Sequence, residues 1–139
     1  VFTLEGRKIF SLGGAMSPDK QYRTGHKSWW SQETITKDEY ERSLVELAKV
    51  DFTVDAVLTH TAPSGILSSL MDLFIRDPAH CAFYMQAFAH DESTKYLEKI
   101  RQNINFKHWY YGHFHEDLDF SCENKKFSCL YNSFTELEV

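Results

Sequence analysis

The chain is poor in residues that interrupt or cross-link secondary structure, with six glycines, three prolines and three cysteines in 139 residues. No apolar run reaches the roughly 18 residues that a membrane-spanning helix needs, so we expect no membrane partner. The opening residues, VFTLEGRKIF, lack the basic-then-apolar order of a secretory signal peptide. An odd set of scattered cysteines predicts free thiols rather than a disulfide framework, which favours the reducing cytoplasm.

Basic charge is also scarce, because 15 lysines and arginines stand against 20 aspartates and glutamates, for a net charge of −5. Broad binding of a nucleic-acid backbone needs a basic face, so this function class is not expected. A small phosphorylated substrate is not excluded, since metal ions would supply the positive charge. The hydrophobic content of 42% is typical of one globular domain with a core.

Local patterns predict a mixture of strands and helices. We expect strands at 54–59 and 106–111, hairpins at 1–12 and 118–131, and helices at 37–50 and 92–103. Residues 66–90 fit more than one helical arrangement around a break at 77–78. This order indicates an α/β sandwich that lacks some of its strands. Because the strand pattern begins at Val1, we expect the chain to be cut from within a larger domain.

Two histidines stand one residue apart after an apolar strand, in the segment GHFH at 112–115. If this segment is extended, His113 and His115 point to the same side, because side chains alternate with a period of two. His60 follows the strand at 54–59, and the carboxyl ends of parallel strands meet at one edge of an open α/β sheet. Imidazole nitrogens suit zinc, iron, nickel and, with carboxylates, manganese. The alternative is that this spacing arises by chance and binds nothing.

The segments THTAP at 59–63 and GHFH at 112–115 resemble the last two motifs of the calcineurin-like metallophosphoesterases. An earlier segment is similar to the part that precedes those motifs in small bacterial and phage members. It comprises Gly13, Gly14, Ala15, Ser17, Asp19, Arg23, Gly25, Trp29, Trp30 and Glu33. The order and spacing fit across nearly the whole chain.

The resemblance implies a four-layer α/β/β/α sandwich with two divalent metal ions at the strand ends. Manganese, iron, zinc and nickel are the candidate metals. By the same resemblance, His60 and His113 bind one metal and His115 binds the other. The implied activity is hydrolysis of a phosphate ester of unknown class by water that the two metals activate.

The family's earlier motifs are absent from this sequence, which has no Gly-Asp dipeptide and no Gly-Asn-His. In the family those motifs supply the bridging aspartate, an asparagine ligand and the acid histidine. Imidazoles alone cannot offset the repulsion between two dications roughly 3.5–4 Å apart. We therefore expect residues 1–139 to be the C-terminal portion of a single metallophosphoesterase domain, inactive on its own.

Two other readings stay open. One is a degenerate metal-binding or interaction module of the same fold, and the other is a plain structural domain with incidental histidines. If the chain is instead the C-terminal portion of a metallophosphoesterase sandwich, the missing strands would leave a sheet edge exposed. We expect the chain to self-associate through that edge.

Arg23 and His26 lie on the loop at 16–33 and are candidates for binding substrate phosphate, since arginine suits bidentate recognition. The surface tendency of charged residues favours the alternative, a solvated loop in which Arg23 pairs with Asp19.

The acidic pair Glu116 and Asp117 follows GHFH directly. These residues are expected either to hydrogen-bond an imidazole or to form the polar turn of a hairpin, and the turn is the favoured reading.

Overall fold

A computed structural model describes residues 1–17, 19–74, 86 and 88–137 of the chain, with the backbone alone for residues 21 and 71–74. They form a mixed α/β fold with one six-stranded sheet and three α-helices, which confirms the predicted class. The ambiguous stretch at 75–85, including its Asp-Pro break and Cys81, lies outside the described residues. Among the helices described, none is long and apolar enough to cross a membrane.

The sheet contains β1 (Phe2–Leu4), β2 (Arg7–Leu12), β3 (Ala56–Thr59), β4 (His108–Tyr111), β5 (Leu118–Cys122) and β6 (Lys125–Cys129). Its spatial order is β1-β2-β3-β4-β6-β5. The three central pairs run parallel, and the outer pairs β1–β2 and β5–β6 are the two predicted hairpins. The second hairpin turns at Glu123 and Asn124, which have φ values of 50° and 60° and so match a tight two-residue turn.

The α-helices are α1 (Lys37–Ala48), α2 (Leu67–Phe74) and α3 (Glu92–Arg101). The first begins at a capping box, in which the Thr36 hydroxyl accepts from the Glu39 amide at 3.2 Å and the Glu39 carboxylate accepts from the Thr36 amide at 2.8 Å. Asp91 caps α3 by accepting from the Ser93 amide at 2.8 Å. Both helices end within two residues of the predicted positions.

The helices cover one face of the sheet. Their buried side chains and those of alternate strand residues form one core: Phe10, Leu47, Val57, Ile66, Leu70, Leu97, Ile100, Trp109 and Phe127. On the opposite face, Ile9, Ala56 and Tyr110 form a smaller buried cluster, against which Leu58 and Leu137 pack. Cys122 and Cys129 are free thiols in the last hairpin, as predicted.

Candidate functional site

The ends of β3 and β4 meet, which confirms the expectation that these strands run parallel. Their register aligns Ala56 with His108 and Leu58 with Tyr110. Just past the strands, the Gly112 amide donates to the His60 carbonyl at 3.1 Å. The two loops that carry the predicted ligands are therefore hydrogen-bonded neighbours.

Two of the three predicted metal ligands are in contact. His113 Nδ1 lies 3.3 Å from His60 Nε2, and the two rings meet edge to face with centroids 5.0 Å apart. The separation is at the long end for a hydrogen bond. Two nitrogens bound to one tetrahedral zinc at about 2.05 Å each would lie about 3.3 Å apart. The distance between the two nitrogens is therefore the one expected for two ligands of a single tetrahedral zinc.

Burial sets the protonation state of His113. Burial first, and then the positive forms of His60 and His115, lower the pKa of this imidazole to about 4, while the nearby backbone of Met16 acts the other way. The Nε2 atom of His113 is buried and has no hydrogen-bond partner in the described part of the chain. A neutral imidazole offers a lone pair, which metal binding requires.

His115 is not aligned with His113 in the way that the sequence predicts. Strand β4 ends at Tyr111, and the φ values of His113 and His115 are 75° and 56°. The prediction of an extended GHFH segment is thus wrong, because left-handed residues turn the chain and cancel the alternation of side chains. The exposed His115 ring instead stacks on Tyr131, with centroids 4.6 Å apart and planes inclined by 24°.

The described residues contain no set of three or more histidine, cysteine, aspartate or glutamate side chains arranged to hold a metal ion. His60 and His113 come together, and His115 is close enough to influence the pKa of His113 electrostatically. Residues in the left-handed region often mark functional loops, and both histidines of GHFH occupy it.

The backbone approaches a neighbouring segment closely at Gly14. Its φ is 121°, and a Cβ there would lie 2.9 Å from Ile35 Cγ1. Two residues later, the Met16 amide donates to the Asp91 carboxylate at 3.2 Å. This bond to the buried Asp91 ties the Gly14 segment to the start of α3, and the backbone of Met16 lies close to the His113 ring. Asp91 was not among the residues predicted from the sequence, although an acidic residue before an amphipathic helix is a recognisable cap.

The candidate phosphate-binding residues lie on an exposed loop. Arg23 Nε donates to the Asp19 carboxylate at 2.7 Å, and its Nη1 donates to the Ser28 carbonyl at 3.1 Å. The pairing matches the alternative reading of a solvated loop. His26 is exposed with a φ of 59°, and its amide donates to the Trp29 carbonyl at 2.9 Å. These contacts hold the loop together internally.

Comparison of the chain with protein-family models, with curated proteins and with solved structures finds no match.

Proposed function

We propose that this chain carries the later metal-ligand motifs of a domain that hydrolyses phosphate esters at a dinuclear metal site. The observation that supports this most is the His60–His113 contact, where two ring nitrogens 3.3 Å apart stand at the ends of adjacent parallel strands. The low pKa of His113 keeps that imidazole neutral at physiological pH and so available as a ligand.

In this proposal His60 and His113 hold one divalent ion and His115 contributes to a second, with manganese, iron, zinc or nickel as candidates. When bound, the two ions would activate water and offset the charge that develops on phosphate. The protein's own part is to fix the ligands on strand ends, so that little reorganisation is needed when metal and substrate bind.

The same proposal places the sheet in a four-layer α/β/β/α sandwich. The face opposite the helices carries the fully or nearly fully buried residues Ile9, Ala56 and Tyr110, together with the partly buried Leu58. Apolar residues on both faces are typical of a sheet that lies between two layers, and Leu130 and Leu137 of this chain already cover part of this cluster.

The histidines alone do not complete a dinuclear site. Two dications at bonding distance repel each other strongly, and carboxylates offset that repulsion. The described residues bring no carboxylate into a three-membered ligand group with His60 and His113. Because the sequence also has no Gly-Asp dipeptide and no Gly-Asn-His, we propose that the remaining ligands are not among the described residues and that the chain alone is inactive.

A second candidate function is a non-catalytic module that binds one metal through the same pair. The observation in its favour is that the contact brings together two imidazoles, which would supply two of the ligands of a single zinc ion.

Metal binding tests the site directly. Isothermal titration with Zn²⁺ should give one strong site per chain, with binding through His115 much weaker, and His60→Ala or His113→Ala should weaken the strong site by at least about tenfold, since even loss of an outer partner costs that much. His90→Ala, which removes an exposed histidine from another loop, is the matched control. Equal affinity for all variants would overturn the assignment of the pair.

Turnover separates the two functions. With Mn²⁺, Ni²⁺ or Zn²⁺, the chain alone should not hydrolyse p-nitrophenyl phosphate at enzyme-like rates, whereas the chain extended upstream in its reading frame should. Fast turnover by the chain alone would contradict the proposed incompleteness, and an inactive extended chain that still binds one zinc would favour the module.

A further inference from the structure

The carboxylate of Asp117 gathers the loop that follows β6. Its Oδ1 accepts from the Tyr131 amide at 2.7 Å, from the Ser133 amide at 3.2 Å and from the Ser133 hydroxyl at 2.5 Å. Its Oδ2 accepts from the Asn132 amide at 3.1 Å. The Asp117 carboxylate thus accepts four hydrogen bonds and fixes the backbone of three consecutive residues. Among the described residues it neither hydrogen-bonds an imidazole nor forms the turn of a hairpin, the two roles expected from the sequence.

The loop that Asp117 holds stands at a third strand end. Strand β6 pairs in parallel with β4, and the Leu130 amide just past it donates to the Tyr111 carbonyl at 2.9 Å. Tyr131 therefore lies beside the segment at 112–115. The loops after β3, β4 and β6 thus stand side by side at one edge of the sheet and carry His60, His113 and Tyr131.

The Tyr131 ring stacks on the imidazole of His115 with centroids 4.6 Å apart and planes inclined by 24°. Tyr131 is 53% exposed, so burial does not explain the position of its ring. His115 is also exposed, so burial does not hold its ring either. The stack is a contact that can restrict the imidazole.

We propose that Asp117 and Tyr131 are positioning residues for His115: Asp117 fixes the backbone of Tyr131, whose ring holds the imidazole at the rim of the His60–His113 pair. The role of His115 as a metal ligand rests on the proposed function, but the positioning itself does not. A ligand restricted before binding loses less conformational freedom when the metal arrives. Loss of the stack should therefore weaken binding at His115 about three- to tenfold.

Nuclear magnetic resonance of the His115 ring protons tests the positioning. Tyr131→Ala and Asp117→Ala should both move these signals away from their stacked positions, because the ring current of the tyrosine is lost or displaced. Tyr131→Phe should leave them in place, since the ring is kept. Asp117→Asn should restore part of the wild-type shift, because its Oδ1 can still accept from Tyr131 and Ser133 whereas its Nδ2 would face the Asn132 amide as a second donor.

Asp119→Asn is the matched control, since this neighbouring aspartate accepts instead from the Ser128 hydroxyl at 2.5 Å. It should leave the His115 signals unchanged. Unchanged His115 signals in both Tyr131→Ala and Asp117→Ala would overturn the proposal. Should Asp117→Ala fail to fold, the comparison of Tyr131→Ala with Tyr131→Phe decides the question by itself.

A Zn²⁺ titration followed on the same signals tests the consequence for binding. The midpoint for His115 should rise about three- to tenfold in Tyr131→Ala but not in Tyr131→Phe, with the response of His60 and His113 unchanged. If His60 and His113 do not respond in the wild-type chain, the proposed function fails while the stack remains. If they respond and the His115 midpoint is the same in every variant, the positioning role in binding fails.

Discussion

The hydroxyl of Thr59 links two strands beside the candidate site, and its removal gives a sharp test of how the His60 loop is held. The indole Nε1 of Trp109, a fully buried residue, donates to Thr59 Oγ1 at 2.8 Å. The same hydroxyl donates to the Thr61 carbonyl at 2.6 Å, across His60. Thr59→Val keeps the branched shape of the side chain and removes both hydrogen bonds.

The expected cost follows from the groups left behind. A buried indole N–H without a partner costs about 1–3 kcal/mol, and the lost bond to Thr61 adds about 0.5–1.5 kcal/mol. We therefore expect Thr59→Val to lower the free energy of unfolding by about 2–4 kcal/mol. Thr59→Ser keeps the hydroxyl and loses one methyl group, which should cost about 0.8 kcal/mol.

Urea unfolding followed by tryptophan fluorescence measures both variants under the same conditions. The serine variant should retain most of the wild-type stability and the zinc affinity of the His60–His113 pair, and the valine variant should lose stability first. If valine proved as stable as serine, the link through Trp109 would have no energetic role and the reasoning would be refuted.

Three further predictions concern other parts of the chain. Gly14→Ala should lower the free energy of unfolding in urea by about 1–3 kcal/mol, because Gly14 has a φ of 121° and the new methyl group would meet the buried Ile35. Gly13→Ala should cost far less, because no atom lies within 4 Å of a Cβ at Gly13. Equal losses in the two variants would contradict this. The pKa of His113 in the folded chain lies below its usual value, so between about pH 6.5 and about pH 4 its imidazole is protonated only in the unfolded state. The free energy of unfolding should therefore fall as the pH is lowered across that window. An equally steep fall in His113→Asn would show that His113 is not the cause. Strand β1 is an edge whose Phe2 and Leu4 are 48% and 54% exposed, so light scattering should show self-association that Leu4→Lys reduces; a monodisperse wild-type monomer would refute it.

Much of the fold was predictable because it depends on short-range signals. The capping box at Thr36 and Glu39 specifies where α1 begins through hydrogen bonds between residues three apart. The apolar runs before His60 and Gly112 marked two buried strands, and the helix between them required a crossover that leaves those strands parallel. The meeting of the two loops followed from that topology.

The candidate site was predictable only in part. The contact between His60 and His113 was expected from the strand ends, but the direction of His115 was not, because a left-handed backbone at a non-glycine residue leaves no trace in hydrophobic periodicity. The partners of Asp117 begin 14 residues further along the chain, and no local pattern connects them.

The sequence by itself determined the α/β class, the two hairpins, the starts of α1 and α3 and the pair of strand ends where imidazoles meet, since each depends on local propensity and pattern. The tertiary structure alone decided which rings are in contact, that Trp109 donates a hydrogen bond to Thr59 and that Tyr131 stacks on His115. Such contacts join residues that are distant in sequence, and they form only where the packed sheet brings strand ends within hydrogen-bonding distance.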